Sequence, residues 1–248
     1  MRSTNIDYLD AYKRDKDEAE RYYLKYLAEK SGQQKLLESI MQSSPPRAVS
    51  RIMDVGCGAG TLIYHISKMY PNAEYALIDM NDDALKLAEN VLSDVAHKSF
   101  SKESIYDLSR YEATQDVVFC WMTILCLDKP KEAIQELVST LVPGGRLYIS
   151  SLFNLLHDVD VYAHFSDHTR ASAKEGMWMQ YNTISEKTIQ QWLSGKVESF
   201  KIHEFVPDFD LPQNTRGIGT YTLTDKDGKR WQISGGMLMN WGILEITK

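Results

Sequence analysis

The stretch DVGCGAG, Asp54–Gly60, places three alternate glycines directly behind an aspartate. The apolar run VSRIMDV at 49–55 predicts a buried strand before it, and TLIYHISKMY at 61–70 predicts a helix after it. Glycine allows a tight turn and lets a ligand approach the backbone without side-chain obstruction. Because strand, glycine turn and helix in this order are typical of nucleotide-binding units, the stretch predicts both a fold and a class of ligand.

Two classes of cofactor compete for such a turn. Dinucleotides need the spacing G-x-G-x-x-G, whereas these glycines are spaced G-x-G-x-G and Thr61 follows them where that pattern requires glycine. Asp54 would repel a pyrophosphate but can accept a hydrogen bond from a cationic amino group. Asp79 ends the next predicted strand, 19 residues after Gly60, where a carboxylate can receive both ribose hydroxyls. These features favour an adenosine cofactor with an amino-acid end over NAD.

Working outward, strand and helix patterns alternate from residue 49 to residue 151. This alternation predicts an α/β fold with a doubly wound, mostly parallel sheet. The chain has 248 residues, 43% of them apolar, which suits one domain spanning 1–248. We divide that domain into an N-terminal helical cover (1–46), a cofactor-binding core (47–151), a substrate-covering insertion and helix (152–197), and C-terminal strands with a hairpin (198–248).

Composition narrows the partners and the location. The formal net charge is −6, and no stretch resembles a secretory signal or approaches the roughly 18 apolar residues of a membrane span. Three cysteines are too few for a disulfide framework and show no zinc-ligand spacing. We therefore expect a soluble, cytoplasmic protein that is a monomer or a homodimer and has neither a DNA nor a membrane partner.

Taken with three further motifs, the glycine turn resembles that of the class I S-adenosylmethionine-dependent methyltransferases. The resemblance covers about Ile52 to Leu152 and includes, in order, DVGCGAG, ALIDMNDDAL, SIYDL and the block from DVVFCWM to LVPGGRLYIS. It implies a seven-stranded Rossmann-like sheet, S-adenosylmethionine as cofactor and S-adenosylhomocysteine as product. Cys126 stands where many family members have histidine, and Ser104 stands where they usually have an aspartate.

The resemblance also implies roles for individual residues. Asp79 would hold the ribose and Met80 would lie beside the adenine, while Ser104 and the backbone of Ile105 would recognise the adenine amino group. The methionine end would lie against the turn. Tyr12 in the predicted first helix is a candidate to close over that end. The full set of predicted cofactor contacts is Tyr12, Asp54, Gly56, Cys57, Gly58, Gly60, Asp79, Met80, Ser104, Ile105 and Trp121.

An acceptor in such a fold lies beyond the carboxyl ends of the strands. That position predicts contacts from Phe153 and Asn154 and from the insertion after them, which is rich in histidine and aromatic residues and shows no clear strand through Asn182. If the histidine-rich part is helical, its histidines share one face. The predicted acceptor contacts are Phe153, Asn154, Arg170, Trp178 and Tyr181, with His157 or His164 as general base. No HExxH glutamate accompanies the histidines, so no metal is predicted.

Three functions fit these observations. The leading one is methyl transfer to a small-molecule acceptor, because an acidic chain carries an insertion rich in aromatic residues. The second is a methyltransferase that acts on RNA or protein, which would need a basic or grooved surface around the site. The third is a protein that binds S-adenosylmethionine without transferring its methyl group.

Overall fold

The computed structural model describes residues 25–167, 177–213 and 220–248, and of residues 165–167 and 177–179 it describes only the backbone. Residues 25–28 are helical, and five helices follow. Their bounds are α1 Gly32–Ser43, α2 Thr61–Ile66, α3 Asp82–Val91, α4 Pro130–Thr140 and α5 Glu186–Leu193. Within the described ranges, no helix is long and apolar enough to cross a membrane.

Twelve strands occur in the described part of the chain. Their bounds are β1 Arg51–Val55, β2 Glu74–Asp79, β3 Lys98–Lys102, β4 Gln115–Trp121, β5 Leu141–Asn154, β6 Val161–Asp167, β7 Met177–Ser185, β8 Ser199–Glu204, β9 Thr220–Thr224, β10 Arg230–Ser234, β11 Met237–Leu238 and β12 Trp241–Thr247.

Polar caps start three of the helices. Ser31 begins α1 with a capping box, because its hydroxyl accepts from the backbone N–H of Gln34 while the Gln34 side chain accepts from the backbone N–H of Ser31. Asn81 caps α3 and Ser185 caps α5, and in each the side-chain oxygen accepts a backbone N–H of the first turn. Pro130 starts α4, where its fixed φ suits the first helical position.

The main sheet contains a seven-stranded path in the order β3-β2-β1-β4-β5-β12-β8. The first five strands are parallel, while β12 is antiparallel to both β5 and β8. This order confirms the doubly wound, mostly parallel sheet of seven strands. The strand order reverses at β1 and β4, and a ligand in such a sheet lies at the carboxyl ends on either side of that point.

Helices and loops bury both faces of this sheet. Successive residues of β1 enter different cores: Ile52 packs with Leu77 and Val117, whereas Met53 packs with Ile78 and Val118. This division follows from the strand period of two, which sends neighbouring side chains to opposite faces. Burial on both faces explains why the central strands β1 and β4 are largely apolar.

The prediction that the insertion lacks strands is wrong. β5 continues past the end of β4, and its last residues, 152–154, pair in parallel with Thr183–Ser185 of β7. β6 then pairs antiparallel with β7. The extra length of β5 supplies a free edge with backbone donors and acceptors, so the insertion adds two strands to the main sheet.

A second, three-stranded sheet forms near the carboxyl end of the chain, in the order β11-β10-β9. The hairpin predicted within 198–248 is confirmed, since β9 and β10 are antiparallel and Gly228 has φ +81° in the turn between them. The loop between β8 and β9 leads from the main sheet to this small sheet, and part of it, Phe205–Leu211, lies beside the site described below.

Candidate active site

The glycine turn connects β1 to α2 and is held against the end of β2. The backbone N–H of Gly56 donates to the carbonyl of Ile78 at 2.8 Å. Gly56, Gly58 and Gly60 have φ values of +72°, +53° and +71°, a region that favours glycine. A Cβ atom added at Gly56 would lie 2.3 Å from Oγ1 of Thr123, so this position excludes any side chain for a second reason.

Asp79, at the end of β2, borders the same turn. Its Oδ2 accepts the backbone N–H of Gly58 at 2.9 Å, and its Oδ1 accepts the backbone N–H of Asn81 at 2.9 Å. Burial raises the pKa of Asp79, and these backbone donors oppose the rise because they favour the charged form. A carboxylate oxygen has two lone pairs, so each oxygen can accept one more donor. The two hydroxyls of a ribose would satisfy that capacity.

Asp54 lies one residue before the end of β1 and is only 1% exposed. Neither of its carboxyl oxygens has a hydrogen-bond partner among the described residues. Burial, and then the charge of Asp79, raises the pKa of Asp54 to about 8. A buried carboxyl group without partners is costly unless a ligand supplies them. A primary ammonium group has the charge and the donors to do so, and the site therefore fits the amino-acid end of S-adenosylmethionine.

The other predicted cofactor residues follow neighbouring strand ends. Met80 comes directly after β2 and is 47% exposed, while Ile105, after β3, is buried. Ser104 is half-buried, and its hydroxyl accepts the backbone N–H of Tyr106 at 3.2 Å. Because Asp79 pairs in register with Lys102, Met80 and the residues after β3 lie at the same edge of the sheet. Burial raises the pKa of the Cys57 thiol well above its usual range, which suits a packing role in the turn.

The turn forms the floor of a cavity of about 800 Å³. Four parts of the chain line it: the glycine turn with the start of α2, the end of β4, one segment from the N-terminal side of the sequence, and residues from its C-terminal side. The described lining residues are Lys25, Tyr26, Glu29–Lys35, Asp54, Gly56, Cys57, Gly58, Thr61, Leu62, Trp121, Met122, Phe205, Asp208, Phe209, Leu211, Gln232 and Trp241.

Hydrogen bonds tie the N-terminal wall to the core. Nε2 of His65, on α2, lies 2.6 Å from the carbonyl oxygen of Tyr26. The hydroxyl of Ser150, near the end of β5, donates to Oε1 of Gln33 at 2.6 Å. The wall that covers the turn is therefore attached to the same strands and helices that position the turn.

Three predicted acceptor residues have described side chains, and none of the three lines this cavity. Phe153 is buried in the core on one face of the sheet, and Asn154 accepts the backbone N–H groups of Leu156 and His157 in the loop after β5. Tyr181 packs on a small cluster that includes Leu152 and the cavity residue Trp241. None of the described residues of the insertion lines the cavity, although β7 pairs with the carboxyl end of β5.

The predicted histidine base finds no support in the geometry either. His157 is exposed in the turn before β6, and His164 is exposed on β6 itself. The two therefore do not share a helical face, and neither is among the described residues that line the cavity. The described residues also contain no group of three His, Cys, Asp or Glu side chains arranged to hold a metal ion.

For three predicted site residues the side chain lies outside the part of the chain that the structure describes. Tyr12 and Arg170 lie outside the described residues, and the side chain of Trp178 is likewise outside them. Trp121 does line the cavity, and so does Trp241.

Sequence reasoning missed the C-terminal wall of Phe205, Phe209, Leu211 and Gln232. The sequence offered one indication of this wall. The segment FVPDFDLP at 205–212, between a strand and a hairpin, contains large apolar residues but shows neither helical nor strand periodicity. Phe209 is 43% exposed, and large exposed apolar side chains beside a cavity are typical of binding sites.

The fold and this site define a class: a Rossmann-like protein whose glycine turn suits an adenosine cofactor with an amino-acid end. A family model described as a methyltransferase domain matches residues 47–203. The chain belongs to that family, the class I S-adenosylmethionine-dependent methyltransferases, and S-adenosylmethionine is its cofactor.

Individual relatives agree with this assignment. The chain is 26% identical over 193 residues to the malonyl-[acyl-carrier protein] O-methyltransferase of Hahella chejuensis, an alignment that covers 77% of this chain and 68% of the relative. It is 28% identical over 166 residues to the enzyme of the same name from Halalkalibacterium halodurans, covering 64% of this chain and 58% of that one.

A solved structure shows the same fold at lower identity. It comes from a complex between the Haloferax volcanii Trm112 methyltransferase activator and a methyltransferase. The TM-score is 0.61 at 13% identity, with 93% of this chain and 96% of the other covered.

Proposed function

We propose that this methyltransferase transfers the methyl group of S-adenosylmethionine to an apolar small molecule bound in the outer part of the cavity. One observation carries the proposal: aromatic side chains and the glycine turn line the same cavity. The aromatic residues are Tyr26, Trp121, Phe205, Phe209 and Trp241. Small-molecule sites typically have volumes of roughly 300–1,000 Å³, and this cavity of about 800 Å³ lies in that range.

The cofactor residues have distinct proposed roles. Asp79 receives the ribose hydroxyls, and Met80, Ser104 and the backbone of Ile105 contact the adenine. Asp54 accepts the ammonium group. The supporting observations are the free acceptor capacity of Asp79 and the lack of partners at Asp54.

The bound cofactor supplies a methyl group already activated by a positive sulfur. The remaining task of the protein is to hold the acceptor in line with that methyl group and to exclude water. Alignment of this kind can lower a barrier by roughly 7–11 kcal/mol. The walls at 25–35 and 205–211 enclose the space over the turn, and their side chains are therefore the proposed determinants of alignment.

The relatives and the charge of the chain support a small acceptor. The two relatives from Hahella chejuensis and Halalkalibacterium halodurans are named for methylating malonyl-[acyl-carrier protein] on oxygen. A net charge of −6 disfavours an extended phosphate backbone as partner. We accordingly propose an enzyme without a DNA partner that works in the cytoplasm as a monomer or homodimer.

The test uses S-adenosylmethionine with an isotopically labelled methyl group. The purified protein is incubated with aromatic, carboxylate-bearing and carrier-bound short-chain acceptors, and with RNA and protein fractions, and products are identified by mass spectrometry. We expect label in a small apolar molecule, and none with a Gly58→Val variant whose turn cannot approach the cofactor. Label found only in RNA or protein would contradict the proposal.

A further inference from the structure

Two carboxyl groups lie at the ends of the adjacent parallel strands β1 and β2, in unequal surroundings. The ionised form of Asp79 is stabilised by two backbone N–H donors at 2.9 Å. Asp54 is 1% exposed and lacks a hydrogen-bond partner within the described ranges. When two carboxyl groups share a site, the one with fewer donors retains the proton. In this pair that group is Asp54.

The other groups around Asp54 do not reverse this order. The thiols of Cys57, in the turn, and Cys120, on β4, both have pKa values raised by burial, so they are neutral neighbours. Across the cavity lie the charged side chains of Lys25, Glu29, Lys30, Lys35 and Asp208. Lys30 pairs with Glu38 at 2.7 Å and Lys35 pairs with Glu29 at 3.0 Å. Among the described residues, no cation forms an ion pair with Asp54.

We propose that Asp54 is a neutral carboxylic acid in the ligand-free protein and loses its proton to solvent when a primary ammonium group binds beside it. The O–H bond of Asp54 breaks, the buffer takes the proton, and a carboxylate–ammonium pair remains in the cavity. This inference rests on the proposed function, because S-adenosylmethionine is the ligand that brings the ammonium group. Binding of cofactor or product is therefore coupled to proton release.

The direction of the pH dependence follows from proton counts. Asp54 has a pKa of about 8 in the free protein, so roughly nine tenths of it is neutral at pH 7. The free protein then holds one proton more than the complex, and raising the pH favours the complex. Affinity for S-adenosylhomocysteine should rise up to about tenfold per pH unit between pH 6 and pH 8 and level off above that.

Calorimetry tests the coupling without any turnover. S-adenosylhomocysteine is titrated into the protein at pH 7 in phosphate and in Tris, buffers whose ionisation enthalpies differ widely. The dependence of the measured enthalpy on buffer ionisation enthalpy gives the number of protons released. We expect a value close to one, and a value near zero with 5′-methylthioadenosine, which has the same nucleoside but no amino-acid end.

An Asp54→Asn variant and infrared spectroscopy assign the proton. The variant keeps the shape of the side chain, and we expect it to bind S-adenosylhomocysteine more weakly and without proton release. The carbonyl stretch of a neutral acid should vanish when the wild-type protein binds ligand and should be missing from the variant. If the wild-type protein binds S-adenosylhomocysteine with no proton release, the inference is overturned and the proposed function stands. If it binds no S-adenosylhomocysteine at all, both fail.

Discussion

The two halves of the cavity are built in opposite ways. The cofactor half consists of a turn and strand ends between residues 54 and 121, next to one another in the parallel sheet. The proposed acceptor half consists of residues 25, 26 and 29–35 on the N-terminal side of the chain and, on the C-terminal side, of Phe205, Asp208, Phe209, Leu211, Gln232 and Trp241. The first half depends on backbone conformation within a buried core, and the second depends on side chains at its surface. Changes should accordingly cost binding and stability together in the first half, and acceptor binding alone in the second.

The largest effect is expected for Gly56→Ala. The added Cβ would lie 2.3 Å from Oγ1 of Thr123, at a residue with φ +72°. The backbone strain alone costs about 1–2 kcal/mol, and the clash adds to it because Thr123 must move. We expect cofactor affinity to fall by more than about 100-fold, measured by calorimetry, together with a lower midpoint of thermal unfolding.

Gly228→Ala is the matched control. Gly228 has φ +81°, but an added Cβ would have no neighbour within 4 Å, and the residue lies in the hairpin turn between β9 and β10. It should carry the backbone strain without the clash and leave cofactor affinity unchanged. If Gly56→Ala and Gly228→Ala lowered cofactor affinity equally, the loss would not be specific to the cofactor half.

An intermediate effect is expected in the acceptor half, for Phe209→Ala. Loss of this ring removes apolar contact with the acceptor. We expect this to cost about 1–2 kcal/mol of acceptor-binding free energy, which corresponds to a rise in acceptor KM of roughly 5- to 30-fold. The affinity for S-adenosylhomocysteine should stay the same. Val206→Ala provides the comparison, since Val206 is 43% exposed like Phe209 but does not line the cavity. A loss of cofactor affinity in Phe209→Ala would show that the halves are not separate.

The smallest effect is expected for the hydrogen bond that joins the two halves, between His65 on α2 and the backbone carbonyl of Tyr26. Burial lowers the pKa of His65, whose Nε2 bonds to the carbonyl of Tyr26. A histidine with a lowered folded-state pKa contributes stability above its unfolded value of about 6.5 and loses it as pH falls through the folded value. We expect less than about 1 kcal/mol of unfolding free energy to be lost this way between pH 7 and pH 5.

His65→Gln should therefore show a shallower fall in stability with acid than the wild-type protein, measured by urea unfolding at several pH values. His157→Gln, at an exposed histidine, should follow the wild-type curve. The protection factors of residues 25–35 against hydrogen exchange, which correct for the slower intrinsic exchange in acid, should also fall between pH 7 and pH 5. Unchanged protection factors would show that the N-terminal wall is held by other contacts.

The sequence predicted the fold and the glycine turn well because their signals are local. The alternation of apolar runs with capped helices predicted a mostly parallel sheet, and the glycines marked positions where φ is positive. Asp79 ends β2 and Asp54 lies one residue before the end of β1, so their positions followed once the strands were known.

The acceptor half could not be predicted in the same way. Its walls meet only after the chain has closed the sheet, so no spacing in the sequence relates Phe205 to Gly32 or Gln33. The strands of the insertion could not be predicted for a related reason. β7 pairs with the end of β5 that extends past β4, and no local sequence pattern reveals this tertiary partner. Aromatic and histidine content drew the prediction toward a region whose described residues do not line the cavity.

Gly32, at the first position of α1, faces Phe205 from the opposite wall. A Cβ atom added there would lie 2.8 Å from Cζ of Phe205, so the two walls touch only because residue 32 has no side chain. The close approach of the two walls thus requires a hydrogen atom rather than a methyl group on the α-carbon of residue 32. A Gly32→Ala substitution would force the ring of Phe205 to move. Substitution at this position is therefore a way to change the range of acceptors without altering the residues that hold the cofactor.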